Sequence, residues 1–318
     1  MNTVKFDHFI TSIGNEQIDP YLEEYREAGF QVEEQTVQHH PGLLNGFIHF
    51  GPEYLEFVSV EDEELFEQGA DTAPFPDIRN LRAAQRPFAI GIVSDDVRAL
   101  HDTLTERGYA VPEVTSGGPR DAEPGAQPVW SFLGLPPTLE GALCFALTYH
   151  TMSKDTPRKV RIAPNTTYAI SGLTFASDAP EERANAWRDL LAPGGEIKRE
   201  EDDGIFEVSI PPHFAVWMKP EKFQDHYGFS WKASPHPWGE LSVIHLLAQD
   251  LDKASEMLDA AGRSVTLLPD KRTGVDTLYV SPDPRDGFTF AITQRPFQEW
   301  LNERTAVTGE KLELEKPA

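Results

Sequence analysis

Two residues able to bind a cation stand where a strand would bury apolar side chains. In EYLEFVSV, alternation places Glu56 on one face with Tyr54, Val58 and Val60. In VKFDHFITS, the same rule places His8 with Val4, Phe6 and Ile10. A buried carboxylate is costly unless something positive meets it. A divalent ion shared by His8 and Glu56 would meet that need, and imidazole nitrogen beside carboxylate oxygen suits Zn, Mn, Ni or Fe(II). A His–Glu hydrogen bond inside a core, with no metal, is the alternative. With a metal present, Glu56 is also the candidate catalytic base, a carboxylate able to shift off the ion and take a proton.

A stable site needs about three protein ligands, so further donors are sought. His40, in the turn before Pro41–Gly42, is the first choice, and His150, ending ALCFALTYH, is the second. His245 projects from the strand LSVIHLLA as a further possibility. For each of the three, a solvent-facing or structural role is the alternative. Asn45 in LLNG orients a ligand or fits the turn before Gly46. Arg120, in the loop SGGPRDAEPG, is placed to bind a substrate carboxylate bidentately, or pairs with Asp121 or Glu123 at the surface. Trp130, with Phe47, Tyr54 and Phe132, forms pocket walls or ordinary core. The single cysteine, Cys144, lies in the apolar run GALCFALTY and reads as a buried, inert thiol. No phosphate-cradling glycine loop, zinc-binding cysteine cluster or nucleophile elbow occurs.

The elements that must position these residues repeat four times. VKFDHFITSIGNEQIDPYLEEYREAGFQV reads as strand, polar turn and helix, closing at Gly29. PFAIGIVSDDVRALHDTLTERGYAV repeats the order and closes at Gly108; YAISGLTFASDAPEERANAWRDLLAPGGEI and GELSVIHLLAQDLDKASEMLDAAGRSV follow, the last closing at Gly262. An Asp or Asn cap opens each helix and a glycine ends it. Short strands follow, ending in EYLEFVSV, ALCFALTY, HFAVWMK and GFTFAITQ. Four βαβββ modules make an α+β fold, with helices on one face of each sheet and the other face free to line a cavity. The expected domains are residues 1–150 and 166–296, with a linker at 151–165 and a tail at 297–318. An acidic linker near Glu61–Gln85 joins the first two modules.

Paired βαβββ modules resemble the vicinal oxygen chelate superfamily, whose modules curl into half-barrels around a site. The first half is similar to the glyoxalase-like domain family through DHFITSIGN, HHPGLLNGFIHFGPEYLEFVSVEDEEL, SDDVRALHDTLTERGY and GGPRDAEPGAQPVWSFLGLPP. APNTTYAISGLTF also looks like this family. The resemblance implies metal ligands on the first and last strands of modules, which in the first module are His8 and Glu56. His40 and Arg120 also fall at family positions. In the other modules the corresponding residues are Ala89, Ser171 and Val243 on first strands, and Ala146 and Ala291 on last strands. Only Ser171 could ligate, weakly, and Ala163–Asn165 lacks a histidine common in the family. The resemblance thus implies a second domain emptied of its site.

Composition bounds the partners. The chain has 318 residues, 39% hydrophobic, with 19 Phe and 6 Trp, enough to fill two cores. Its formal charge of -24, from 52 acidic and 28 basic residues, repels phosphate backbones and anionic lipid. Nucleic acid and membrane are therefore not expected as partners. The opening MNTVKFDHFITSIG lacks a basic region followed by an apolar run, so the expected location is cytoplasmic. Four modules can pair within one chain, so a monomer, or a homodimer not needed for the site, is expected.

Two functions fit. The first is a divalent-metal-dependent enzyme, a lyase or isomerase or a ring-cleaving dioxygenase, acting on a small oxygenated organic substrate. The second is a metal-free protein that binds a small molecule, as some resistance proteins of the superfamily do. The pair His8 and Glu56 favours the enzyme; the missing ligand positions favour the binder.

Overall fold

The computed structural model describes residues 4–34, 36, 38, 40–71, 78–83, 85–117, 128–136, 143–150, 157–191, 196–200, 204–227, 241–282 and 285–315. The first unit is β1 (Val4–Ile13), α1 (Ile18–Glu27), β2 (Gln31–Val32), β3 (Leu43–Phe50) and β4 (Glu53–Val60). After α2 (Glu63–Ala70) and a short 3-10 helix (Ile78–Ala83) comes the second: β5 (Gln85–Ser94), α3 (Val97–Glu106), β6 (Thr115–Gly117), β7 (Trp130–Gly134) and β8 (Leu143–Tyr149). A short strand, β9 (Arg158–Val160), precedes β10 (Thr167–Ala176), α4 (Pro180–Leu191), β11 (Ile197–Glu200), β12 (Ile205–Ile210) and β13 (His213–Met218). Helix α5 (Pro220–Tyr227) leads to β14 (Leu241–Ala248), α6 (Leu251–Ala260), β15 (Val265–Pro269), β16 (Asp276–Val280) and β17 (Thr289–Gln294), then α7 (Phe297–Thr308) and β18 (Leu312–Leu314). The βαβββ order therefore holds in all four units.

The described strands build two eight-stranded, half-barrel-like sheets of one design, β2-β3-β4-β1-β5-β8-β7-β6 and β11-β12-β13-β10-β14-β17-β16-β15. At each centre two first strands run antiparallel, and each is flanked by the parallel last strand of its own module. Residues on first and last strands therefore converge at the middle of each sheet.

Local signals behave as the sequence implies, with exceptions. Asp96 caps α3 by accepting from Arg98 N at 2.9 Å, and Asp250 caps α6 by accepting from Lys253 N at 3.0 Å. Helix α1 starts instead after Gln17, whose side chain makes no cap hydrogen bond. Gly29, Gly108 and Gly262 follow their helices at φ of 78°, 86° and 77°, which suits glycine. The glycines after α4 lie outside the described residues.

One face of each sheet carries the helices. Tyr25, Leu100, Trp187 and Leu258 from α1, α3, α4 and α6 join a continuous core, bridged between the sheets where Phe290 meets Phe30 at 5.3 Å and Phe50 at 6.2 Å. The inner face of the first sheet is not left open. The acidic segment expected as a linker folds as α2 and the 3-10 helix, and buries Phe66, Ala70, Ile78 and Leu81 against Ile10, Val58, Phe132 and Phe145. Its charges face outward while every third or fourth side chain is apolar, and the net acidity masked that stripe. Helix α5 gives Phe223 and Tyr227 to the inner face of the second sheet in the same way.

The segments expected as linker and tail meet, because β9 pairs in parallel with β18. Beside that ribbon, a buried ion network ties the starts of β1 and β4 to the tail and to the second sheet. Arg304 contacts Glu53 Oε1 at 2.6 Å and Glu310 Oε2 at 2.8 Å, Lys5 contacts Glu310 Oε1 at 2.7 Å, and His213 reaches Glu53 Oε1 at 3.1 Å. Burial lowers the pKa of His213. For Glu310, burial pushes upward but Arg304 and Lys5 outweigh it and bring the carboxyl from 4.5 to about 2. A lowered folded pKa gives stability that is complete above 4.5 and lost as pH falls towards 2. Urea unfolding at about pH 6 and about pH 3 is therefore expected to show a larger acid loss in the wild type than in Glu310→Gln.

Candidate functional site

Alternation along β1 is broken by one residue. Phe6 lies opposite Ile92 on β5, but the next pairing is His8 with Gly91, so Asp7 is extra. This bulge changes the phase of the strand. Val4 and Phe6 therefore face the helix-side core, whereas Ile10 faces inward. The single face expected for Val4, Phe6, His8 and Ile10 does not exist, because period-two reading assumes an unbroken strand. On β4 the alternation is intact, and Val58 and Val60 face inward as Glu56 does.

The bulge brings two consecutive side chains together. The Nδ1–H of His8 donates to Asp7 Oδ2 at 2.7 Å, and the Tyr149 hydroxyl donates to the same oxygen at 2.9 Å. On the other side of the ring, His8 Nε2 stands 3.8 Å from Glu56 Oε2. Asn45 donates to Glu56 Oε1 at 2.6 Å. Tyr54 stacks on the His8 ring at 4.4 Å and 7°, and Phe145 meets its edge at 5.3 Å. Asp7, His8, Asn45 and Glu56 are all buried. Burial, then the charge of Asp7, holds the phenols of Tyr54 and Tyr149 well above their ordinary pKa, so both stay protonated as donors. Asp7, Tyr149 and the facing glycine were not singled out from sequence, and Tyr54 was read only as pocket wall or core; only the bulge reveals Asp7.

The other candidates are placed elsewhere. Nδ1 of His40 bonds Pro41 O at 2.9 Å, and its ring lies on Phe66 of α2 at 5.8 Å. His150 bonds Ser131 at 2.8 Å. Ser131 points away from the inward residues Trp130 and Phe132 on either side of it, so strand parity directs His150 away from His8. Trp130 packs on the inner-face cluster and covers Gly117, where an added Cβ would lie 2.4 Å from the indole. Arg120 lies outside the described residues. Cys144 is buried on the helix side, its thiol pKa raised by burial.

Register also corrects the positions taken as equivalent. Across the central pair His8 faces Gly91, while Ala89, taken as the equivalent position of the second module, lies on the inner face opposite Ile10; on β8 Phe145 and Leu147 face inward whereas Ala146 faces the helices. In the second sheet Gly172 pairs with Phe214 and His245 as His8 pairs with Tyr54 and Gly91. Gly172, not Ser171, stands in the place of His8, and His245 stands in the place of Gly91, with Val243 two residues away. The second domain has therefore not lost its inward histidine. It carries it on the opposite central strand.

The surroundings of that histidine differ. His245 Nε2 lies 2.9 Å from Thr174 Oγ1 and 3.4 Å from Tyr227 OH, and the two hydroxyls are 2.9 Å apart. Burial and then Arg272 bring its pKa down to about 3, so the imidazole is neutral near neutrality. Asp270 is bonded to His226 at 3.1 Å and to Tyr279 at 3.0 Å. On the second inner face the uncharged ring is thus met by hydroxyls, and the carboxylate of Asp270 is engaged by His226 and Tyr279.

Two curled sheets of paired βαβββ modules, with a buried imidazole and carboxylate where a first and a last strand converge, define a vicinal oxygen chelate fold. The model of the glyoxalase-like domain matches residues 6–191, more than half of the sequence, and the chain belongs to that family. A hypothetical protein from Staphylococcus aureus is similar at a TM-score of 0.58 and 12% identity, over 92% of this chain and 100% of that one. A catechol 2,3-dioxygenase is similar at 0.55 and 13%, over 99% and 94%. A Mn(II)-bound glyoxalase from Novosphingobium aromaticivorans is similar at 0.53 and 12%, over 99% and 87%. At such identities the likeness is one of fold. No curated protein matches the sequence.

The donor set can be tested for a metal. The 3.8 Å gap between His8 Nε2 and Glu56 Oε2 is too long for a hydrogen bond. It lies within the span of two donors each about 2.0–2.2 Å from one ion. Among the described residues no group of three or more His, Cys, Asp or Glu gathers around such a point, since Asp7 is engaged at the far nitrogen. The residues thus offer an ion two protein donors, one short of the three a stable site needs, and the remaining positions would fall to water or substrate. Gly91 makes the arrangement possible, because a Cβ there would fall 2.5–2.9 Å from the atoms of the His8 ring. Gly91→Ala is expected to push the ring off Glu56 and cost about 1–3 kcal/mol through overpacking, read by chemical denaturation.

Proposed function

We propose that the chain is a divalent-metal-dependent enzyme of the vicinal oxygen chelate type, a lyase or isomerase or a ring-cleaving dioxygenase, acting on a small oxygenated organic molecule. The observation that carries this reading is the facing pair His8 Nε2 and Glu56 Oε2, buried, 3.8 Å apart and each anchored on its outer side. When bound, a divalent ion supplies Lewis-acid polarisation of substrate oxygens. The side chains do the rest. Asn45 fixes one oxygen of Glu56, leaving Oε2 as the atom that would hold the ion or take a substrate proton. Tyr54, Phe145 and Phe47 close the site with apolar surface that excludes water. The glyoxalase of similar fold is described as Mn(II)-bound, which puts Mn first among the ions to try.

A second reading, a metal-free protein that binds a small molecule, draws on the residues standing where further ligands would be needed. Gly91 and Phe145 offer no donor, and α2 fills part of the inner face. The readings separate by melting. Ligand bound to the folded state alone stabilises it by about 2.7 kcal/mol at one hundred times its dissociation constant. The wild type is expected to melt higher with added Mn, Zn, Ni or Fe(II), and Glu56→Gln is expected not to respond. A wild type indifferent to all four ions, with none found by elemental analysis, would overturn the enzyme reading in favour of the binder.

A further inference from the structure

We infer that Asp7 is a positioning residue that decides which nitrogen of His8 faces Glu56 without a proton. A carboxylate accepts hydrogen bonds and donates none, so the 2.7 Å contact from His8 Nδ1 to Asp7 Oδ2 requires the hydrogen to sit on Nδ1. In the neutral ring Nε2 is then the bare nitrogen, aimed at Glu56 Oε2. Tyr149, donating to the same Asp7 oxygen at 2.9 Å, keeps that oxygen turned towards the ring. Stacking on Tyr54 fixes the plane of the imidazole, and the missing side chain of Gly91 leaves the room it occupies. Without Asp7 the preference reverses, because the negative charge of Glu56, 3.8 Å from Nε2, favours a proton on that nitrogen. The bulge therefore selects a tautomer as well as a position. At His245 the same nitrogen is instead engaged by the hydroxyls of Thr174 and Tyr227.

The consequence for an ion rests on the proposed sharing of a cation by His8 and Glu56, but the tautomer is read without one. In metal-free protein labelled with 15N-histidine, long-range proton–nitrogen correlations report which ring nitrogen carries hydrogen, with His8 assigned from the signal lost in His8→Gln. The wild type is expected to show His8 protonated at Nδ1 and bare at Nε2. Asp7→Asn, equal in size, is expected to move the proton to Nε2. It is also expected to weaken the melting response to Mn by at least about tenfold in metal concentration, the range that supporting carboxylates contribute to ligand histidines. Tyr149→Phe keeps the carboxylate and is expected to keep the wild-type tautomer, which separates this effect from general loosening. A proton on Nε2 in the wild type, or an unchanged tautomer in Asp7→Asn, overturns the proposal. Should Asp7→Asn not fold, the wild-type spectrum still decides it. If the tautomer follows Asp7 while no ion shifts the melting curve, the metal reading falls and the role of Asp7 stands. If the wild type responds to metal and Asp7→Asn responds equally, the role of Asp7 falls and the metal reading stands.

Discussion

One surplus residue in a central strand sets the chemistry of the first domain. A regular β1 would send Asp7 to the opposite face from His8, among the side chains that pack on the helices, where a carboxylate has no place. With the bulge, the carboxylate and the imidazole point the same way and satisfy each other at 2.7 Å. The rest of the pocket accommodates that choice. The strand opposite gives up its side chain at Gly91, β4 lays Tyr54 flat on the ring, and β8 reaches over with Tyr149. Each concession costs packing or backbone entropy, and the helix-side core, continuous between the two sheets, supplies the compensating stability.

The same architecture run twice gives two different imidazoles. In both sheets a histidine meets a glycine across the central antiparallel pair, but the histidine belongs to the first module in one and to the second module in the other. His8 has an acidic oxygen near each nitrogen, while His245 has hydroxyls at Nε2 and the positive Arg272 in its field. The first setting attracts a positive centre; in the second, burial and Arg272 outweigh the opposing charge of Asp270 and disfavour one. Fold alone therefore does not tell the two halves apart; the charges beside each ring do.

What could be read from the sequence follows the same physics. The repeated strand–helix–glycine pattern gave four modules, because periodicity and caps are local properties. Glu56 was placed on the inward face because β4 is regular, so counting by twos holds along it, whereas Asn45, read as a ligand-orienting or a turn residue, lies inside β3. His8 was found, but its neighbours were misassigned, because a bulge leaves no mark in VKFDHF beyond an acidic residue in an odd place. The slip from Gly172 to Ser171 is an error of one residue in register, which only inter-strand hydrogen bonds fix. His40 and His150 matched in residue type but not in direction: one lies on Phe66 and the other bonds Ser131 on the far side of its sheet. Helix α2 was missed because its eight residues carry their apolar stripe inside an acidic segment.

The ion network at the starts of β1 and β4 has a consequence for how the molecule is made. Glu53 meets a histidine 160 positions later in the chain, and Lys5 meets a carboxylate 305 positions later. A ribosome delivers the strands that bear His8 and Glu56 long before it delivers the charges that neutralise their roots. During that interval Glu53 can stay hydrated only while the beginning of β4 remains open to water. The arrival of Arg304 and Glu310 closes it. The roots of β1 and β4 are thus neutralised only after Glu310 has been delivered, so a nascent first half lacks ion pairs that the same residues make in the folded protein.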